Sequence, residues 1–213
     1  MDWGTYLTTS EAVIYAVIDG RGSGYRGNDL LHEIYYKLGQ PEVQDQIDVT
    51  KRLVDQYAFI DAKNVAIWGW SYGGFVTTSV LAADADQDNV FKCGIAVAPV
   101  TNWIYYDTIY TERYMGLPTP EDNYQAYKLS DVTAKAEKLR NKKLLIVHGT
   151  ADSNVHYQQS MMLTRALEEA DVLFQQLSYP DENHGLGSVS RFLYHRFDSF
   201  WSDCFNYESV IKS

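Results

Sequence analysis

The sequence lacks the features that mark several large classes of protein. It has only two cysteines, Cys93 and Cys204, and no Cys-x-x-Cys pair, which argues against a zinc or dithiol redox site. Its formal net charge is -10, so it lacks the basic excess that nucleic acids and anionic membranes attract. No window approaches the ~20 apolar residues of a membrane span. The first residues also lack the basic-then-apolar pattern of a signal peptide.

What the sequence does contain suits one domain with a single core, since 46% of its 213 residues are hydrophobic. Apolar runs alternate with amphipathic ones, which predicts a largely parallel sheet flanked by helices. The predicted strands span residues 13–18, 64–70, 93–100, 144–147 and 172–179, and the predicted helices span 42–57, 72–83, 156–170 and 188–205. Residues 101–140 look irregular and tyrosine-rich, with a break at 116–120.

The motif Gly69-Trp70-Ser71-Tyr72-Gly73 matches G-x-S-x-G. It directly follows a predicted strand and directly precedes a predicted helix, which is the setting of a nucleophile elbow. Such a turn exposes the Ser71 hydroxyl and points the Tyr72 N–H at a developing oxyanion. We expect both glycines to lie where neighbouring backbone leaves no room for a side chain.

A serine nucleophile needs a base, and the base needs an orienting carboxylate. In sheets of this kind the chain order is serine, acid, histidine. Asp152 follows the strand 144–147, and His184 lies in the loop after the next strand. Both positions are at the carboxyl ends of strands, where open α/β sheets bind their ligands. We therefore predict a triad of Ser71, Asp152 and His184, and we expect His148, at the end of a strand, to be structural.

The run Gly22-Ser23-Gly24-Tyr25-Arg26-Gly27 matches the G-x-G-x-x-G pattern of dinucleotide sites. However, no second strand ending in an acidic residue follows at the distance that such sites require. We therefore predict a glycine turn here and no bound cofactor.

Five segments, residues 19–25, 68–74, 91–100, 110–118 and 148–152, resemble the prolyl oligopeptidase superfamily, and within it the branch of dipeptidyl peptidase IV and fibroblast activation protein. The resemblance covers essentially the whole chain and implies an α/β-hydrolase fold. It implies a serine peptidase that releases N-terminal dipeptides with proline or alanine second, with the same triad and with Tyr72 as an oxyanion donor.

The resemblance also implies roles for residues that the pattern alone does not single out. Asn154 would bind a substrate carbonyl. The side chains that would line the proline pocket are Val100, Trp103, Tyr106, Tyr110, Val155 and Tyr72. Cys93 and Cys204, which the residues alone leave either free or bonded, would form a disulfide. That implies an extracellular setting, secreted or in the ectodomain of a membrane-anchored protein.

The chain also departs from the family pattern. Nothing in it resembles the family's N-terminal β-propeller, the tyrosine that supplies the second oxyanion donor, or the first strands of the sheet. We therefore expect a fragment of a longer enzyme, weak or inactive by itself. A homodimer formed partly through residues 188–205 is also implied, although their apolar face is expected to pack on the chain's own sheet. The alternatives are a carboxylesterase or lipase of the same fold and a non-catalytic binding domain.

Overall fold

A computed structural model describes residues 3–207. Its sheet has four parallel strands in the order β1-β2-β3-β4. The strands are β1 (Ala66–Trp70), β2 (Cys93–Val97), β3 (Lys143–Gly149) and β4 (Gln175–Tyr179). The α-helices are α1 (Trp3–Ser10), α2 (Asn28–His32), α3 (Pro41–Gln56), α4 (Tyr72–Asp84), α5 (Thr108–Met115), α6 (Tyr124–Ser130), α7 (Gln158–Glu169) and α8 (Ser190–Phe205). Short 3₁₀ helices span Trp103–Tyr105, Thr133–Leu139 and Gly187–Val189.

Alternate residues of the strands point to opposite faces of the sheet, as the pleat requires. Ile95 and Val97 pack with residues of α1 and α8. Ala96 and Ile146 pack on the other face with residues of α3, α4 and α7. The sheet is therefore covered by helices on both faces, which explains why its central strands are apolar at almost every position. The predicted α/β architecture is confirmed.

The strand predicted at residues 13–18 is wrong. No residue of this segment pairs with the sheet, and its side chains are largely exposed, with Val17 76% accessible. A strand exists only if its backbone groups bond to a neighbouring strand. In the part of the chain that the structure describes, β1 is the edge strand and pairs only with β2. The segment 13–18 does not pair with the open side of β1 and therefore forms no strand.

The remaining predicted elements are found within a few residues of their expected bounds. The main omission is in the tyrosine-rich stretch 101–140, which was expected to be irregular and instead contains α5 and α6. These helices are too short for a clear 3.6-residue period. The break between them is real, since α5 ends at Gly116 with φ 67°. The glycine run 22–27 forms turns, as predicted.

The register of the sheet brings the carboxyl ends of all four strands to one edge. Trp70 lies beside Val97, Val97 beside Val147, and Gly149 beside Tyr179. Whatever follows these four positions in sequence is consequently displayed on the same side of the molecule.

Two covalent or ionic links hold the layers together. A disulfide joins Cys93 of β2 to Cys204 of α8 across 111 residues of sequence, the pairing that the resemblance implies. On the other face, the Lys142 ammonium lies 2.7 Å from Asp84 with both side chains almost fully buried. Lys142 also donates to the Phe91 carbonyl, and Asp84 accepts from the Phe91 N–H. None of the helices among residues 3–207 is both long and apolar enough to cross a membrane.

Replacing the buried Lys142 should therefore lower the free energy of unfolding substantially, whereas replacing its exposed neighbour Lys143 should change it little. Lys142→Met leaves Asp84 buried and unpaired, and we expect a loss of about 3–5 kcal/mol in the free energy of unfolding. Lys143→Met is the matched control, because Lys143 pairs with Asp203 at 45% and 61% exposure. That variant should lose less than about 1 kcal/mol. Urea unfolding measures both, and equal losses would contradict the assignment.

Candidate active site

Ser71 lies between β1 and α4 in a strained conformation, with φ 60° and ψ -116°. Its N–H donates to the Val97 carbonyl at 2.8 Å, and its carbonyl accepts from the Phe75 N–H at 3.1 Å. These bonds hold the turn at the carboxyl edge of the sheet. Tyr72 begins α4, so its N–H is one of the donors that a helix leaves without an internal partner. A sharp turn of this kind lifts the serine hydroxyl out of the sheet.

The prediction about the glycines is right for Gly69 and wrong for Gly73. A Cβ at Gly69 would collide with the backbone of Gly73, whereas a Cβ at Gly73 would meet nothing within 4 Å. The second crowded position is Gly74, where a Cβ would lie 2.9 Å from the Val97 carbonyl oxygen. The reason is geometric: Gly73 faces open space from the first turn of α4, while Gly74 faces the sheet.

The Asp152 side chain is buried, and each of its oxygens is bonded. Oδ1 accepts from the backbone N–H groups of Asn154 and Val155 at 2.9 and 3.0 Å. Oδ2 lies 2.7 Å from His184 Nδ1. Since a carboxylate only accepts, Nδ1 holds the proton and Nε2 is left as an acceptor. This is the tautomer that a general base requires.

The loops that hold the acid and the base are bonded to each other. The Ala151 N–H donates to the Glu182 carbonyl at 3.0 Å, and the Thr150 N–H donates to the backbone carbonyl of Tyr179 at 2.9 Å. Gly149 permits this approach, because a Cβ there would collide with the Glu182 backbone. The geometry of Asp152 relative to His184 is thus set by backbone contacts as well as by their side chains.

Ser71 is joined to this pair through its neighbour. Trp70 Nε1 donates to the His184 carbonyl at 2.8 Å, which ties the histidine loop to the residue before the nucleophile. Among residues 3–207, the Ser71 hydroxyl makes no direct hydrogen bond to His184. Such bonds are often long in ligand-free sites and shorten when substrate binds. The structure therefore brings Asp152 and His184 into contact and places Ser71 beside them at the same sheet edge.

The side chains predicted for the proline pocket all pack in one hydrophobic cluster. Trp103 is its centre, stacked on Tyr110 at 5.8 Å and 9° and in contact with Tyr106 and Tyr72. Burial raises the pKa of Tyr110 to about 12, so its hydroxyl stays neutral at physiological pH. Trp103, Val100 and Val155 are buried at 0–2% exposure, so the accessible part of the cluster is formed by the partly exposed tyrosine rings packed on them.

Asn154 lies at the border of this cluster. The Tyr106 hydroxyl donates to Asn154 Oδ1 at 2.8 Å. This bond orients the amide so that its NH₂ group stays available to a carbonyl acceptor. The residue is exposed, as a side chain that contacts substrate must be.

The sequence patterns did not reveal Glu42 as a residue of this site, and they did not reveal that His148 contacts the acid of the proposed triad. Glu42, buried at 7% exposure, accepts at Oε1 from the Tyr72 hydroxyl and the Gly39 N–H, both at 2.5 Å. Burial and the Glu42 charge raise the pKa of Tyr72 well above its ordinary value. No sequence pattern signals this pair, because its members are 30 residues apart.

His148, expected to be structural, contacts Asp152 directly. No group of three or more metal-ligating side chains is found within residues 3–207.

Residues 1–208 match the model of the prolyl oligopeptidase family. The chain belongs to this family. It is 57% identical over 201 residues to venom dipeptidyl peptidase 4 of Vespa velutina. It is 50% identical over 208 residues to dipeptidyl peptidase 4 of Bos taurus and 48% identical over 207 residues to human prolyl endopeptidase FAP. These matches cover 94–97% of this chain.

These three relatives are much longer than this chain, which spans only 26–27% of their length. Among solved structures, dipeptidyl peptidase 4 of Porphyromonas gingivalis superposes with a TM-score of 0.82 at 41% identity. That match covers 87% of this chain and 26% of the other. The fold is therefore that of the α/β-hydrolase domain of these enzymes.

The two motif glycines provide a test of the elbow. We expect Gly69→Ala to lower the free energy of unfolding by about 1–3 kcal/mol or more, because the added methyl group collides with backbone that cannot move aside. Gly73→Ala is the matched control, one methyl group added to the same turn. It should change the free energy of unfolding by no more than about 1 kcal/mol. Thermal or urea unfolding compares the two, and equal losses would show that the turn differs from the one described.

Proposed function

We propose that this chain is the catalytic domain of a serine dipeptidyl peptidase, which releases N-terminal X-Pro or X-Ala dipeptides from peptides. The observation that supports it is the 2.7 Å bond between Asp152 and His184 at the sheet edge that also displays the strained Ser71. The names of the relatives, dipeptidyl peptidase 4 and prolyl endopeptidase, support the same substrate class.

The proposed reaction is acyl transfer. Ser71 Oγ attacks the carbonyl carbon of the proline or alanine residue while His184 Nε2 takes the serine proton, and the bond from that carbon to the next residue's nitrogen then breaks. His184 then gives the proton to the leaving amine, and water hydrolyses the acyl-enzyme by the same route. Asp152 orients His184 and stabilises its charged form. The Tyr72 N–H donates to the oxyanion of the tetrahedral intermediate.

Substrate choice would come from the aromatic cluster around Trp103. A flat pyrrolidine ring, or a small alanine side chain, suits an uncharged aromatic pocket, and Val100 and Val155 complete its apolar wall. The Asn154 amide would donate to a substrate carbonyl. These contacts set where the scissile bond lies relative to Ser71.

We further propose that the chain is the C-terminal domain of a longer enzyme with an N-terminal β-propeller. The small share of these relatives that the chain spans, 26–27% of their length, supports this. The Cys93–Cys204 disulfide supports an oxidising, extracellular setting, either secreted or in the ectodomain of a membrane-anchored protein. The implied homodimer gains no support from the apolar face of α8. Of its five large side chains, Leu193, Phe197, Phe200 and Trp201 are buried within the chain and only Phe192 is exposed.

The first test is hydrolysis of a Gly-Pro anilide by the longer enzyme and by its Ser71→Ala variant. We expect turnover in the former and a loss of at least roughly 10⁴-fold in the latter. The 213-residue chain alone should turn over about 100- to 1000-fold more slowly if one oxyanion donor is supplied from elsewhere. Hydrolysis of short esters with no preference for the proline substrate would favour an esterase. No reaction with an active-serine phosphonate would favour a binding domain.

The second test concerns Asn154. Asn154→Ala removes one hydrogen bond to substrate, so kcat/KM for the Gly-Pro anilide should fall about 2- to 12-fold, chiefly through KM. Tyr106→Phe keeps the ring packing and loses only the hydroxyl that orients the amide, and it should show a smaller change of the same kind. Gln158→Ala, at an exposed position of α7, is the control. A KM unchanged by Asn154→Ala would remove Asn154 from the site.

A further inference from the structure

His148 is a fully buried histidine in β3, immediately before the glycine that lets the two loops meet. Its Nε2 lies 2.8 Å from the Val155 carbonyl and 3.2 Å from Asp152 Oδ2. Its Nδ1 lies 2.7 Å from the Ser160 hydroxyl in α7. Both ring nitrogens are therefore bonded, and one of them contacts the carboxylate that faces His184.

The partners of His148 define its tautomer. The Val155 carbonyl and the Asp152 carboxylate only accept hydrogen bonds, so Nε2 must hold the proton. The Ser160 hydroxyl then donates to Nδ1. Burial lowers the pKa of His148, which keeps the ring neutral at physiological pH. The ring is thus a fixed N–H donor aimed between Val155 and Asp152.

Asp152 Oδ2 consequently lies between two imidazole N–H groups, at 2.7 Å from His184 and 3.2 Å from His148. Oδ1 is held separately by the N–H groups of Asn154 and Val155. Without His148, Oδ2 would be bonded only to His184, the group whose proton affinity it has to control. The bonds to Oδ1 would remain, but Oδ2 would lose the donor that holds it when His184 moves or changes its charge.

We propose that His148 is a positioning residue of this active site: it holds Asp152 in the orientation that His184 requires. The proposal rests on the proposed function, in which Asp152 and His184 activate Ser71. Because Nε2 also donates to Val155, the same ring ties the acid to the apolar wall beside Trp103. Ser160 in turn fixes the ring from α7.

Two tyrosines also lie close to this arrangement. Tyr157 packs edge-on against the His148 ring at 5.6 Å. Tyr106 lies near enough to Asp152 for the carboxylate to contribute to its raised pKa, after burial as the main cause. Neither tyrosine ionises in the acid range.

The test compares His148→Phe with His148→Gln in the enzyme that turns over the Gly-Pro anilide. Phenylalanine fills the space of the ring without a donor, whereas a glutamine amide can donate from near the position of Nε2. For His148→Phe we expect kcat to fall about tenfold or more, with KM within about twofold. Because the Asp152 carboxylate loses one N–H donor, we expect the acid limb of kcat/KM to move to higher pH. His148→Gln should restore most of kcat and the original limb.

Labelling of Ser71 by a small phosphonate separates this proposal from the function on which it rests, because the probe does not need the peptide pocket. Labelling of the unmodified enzyme but not of Ser71→Ala supports the function. Equal labelling rates for the unmodified enzyme and His148→Phe would then overturn the role of His148 alone. If His148→Phe does not fold, Ser160→Ala serves instead, with a few-fold lower kcat and the same direction of pH shift expected. An unchanged kcat and pH profile in that variant would also overturn the role.

Discussion

The parallel register of β1, β2, β3 and β4 places the ends of all four strands at one sheet edge, and the candidate site depends on that alignment. Ser71 follows Trp70, Asp152 comes three residues after Gly149, and His184 comes five residues after Tyr179. The sheet thus converts a separation of 113 residues along the chain into a set of adjacent loops. Backbone bonds between the loops, such as Ala151 to Glu182, then reduce the remaining freedom.

Asp152 has the most demanding environment in this arrangement. It is a buried carboxylate, and a charge in such a position is tolerated only when its oxygens are hydrogen-bonded. Two backbone N–H groups satisfy one oxygen, and the two histidines lie on either side of the other. The tight turn from Asp152 to Val155 is therefore both a structural element and the support of the reacting pair. It also connects the acid to the aromatic cluster, because Val155 belongs to both.

Local features of this chain could be predicted from its sequence, whereas features that depend on distant contacts or on side-chain direction could not. The elbow was predictable, since a strand, a small turn and a helix are all local patterns. The order of acid and base followed from where strands end. The prediction of a strand at residues 13–18 failed because strand formation depends on bonds to a partner strand, and this segment does not pair with the open side of β1. The expectation for Gly73 failed because crowding depends on which way a Cβ faces, and adjacent positions of a helix differ by about 100° in direction.

Sequence patterns were enough to predict the parallel α/β architecture, the nucleophile turn with Ser71, the places of Asp152 and His184, and family membership. Each of these depends on local periodicity or on motifs of consecutive residues. The three-dimensional fold was needed to show that Glu42 bonds the Tyr72 hydroxyl, that Gly74 rather than Gly73 is crowded, and that His148 contacts Asp152. The first of these contacts joins residues 30 positions apart. The other two depend on side-chain direction, and neither long-range contact nor side-chain direction has a periodic signal in the sequence.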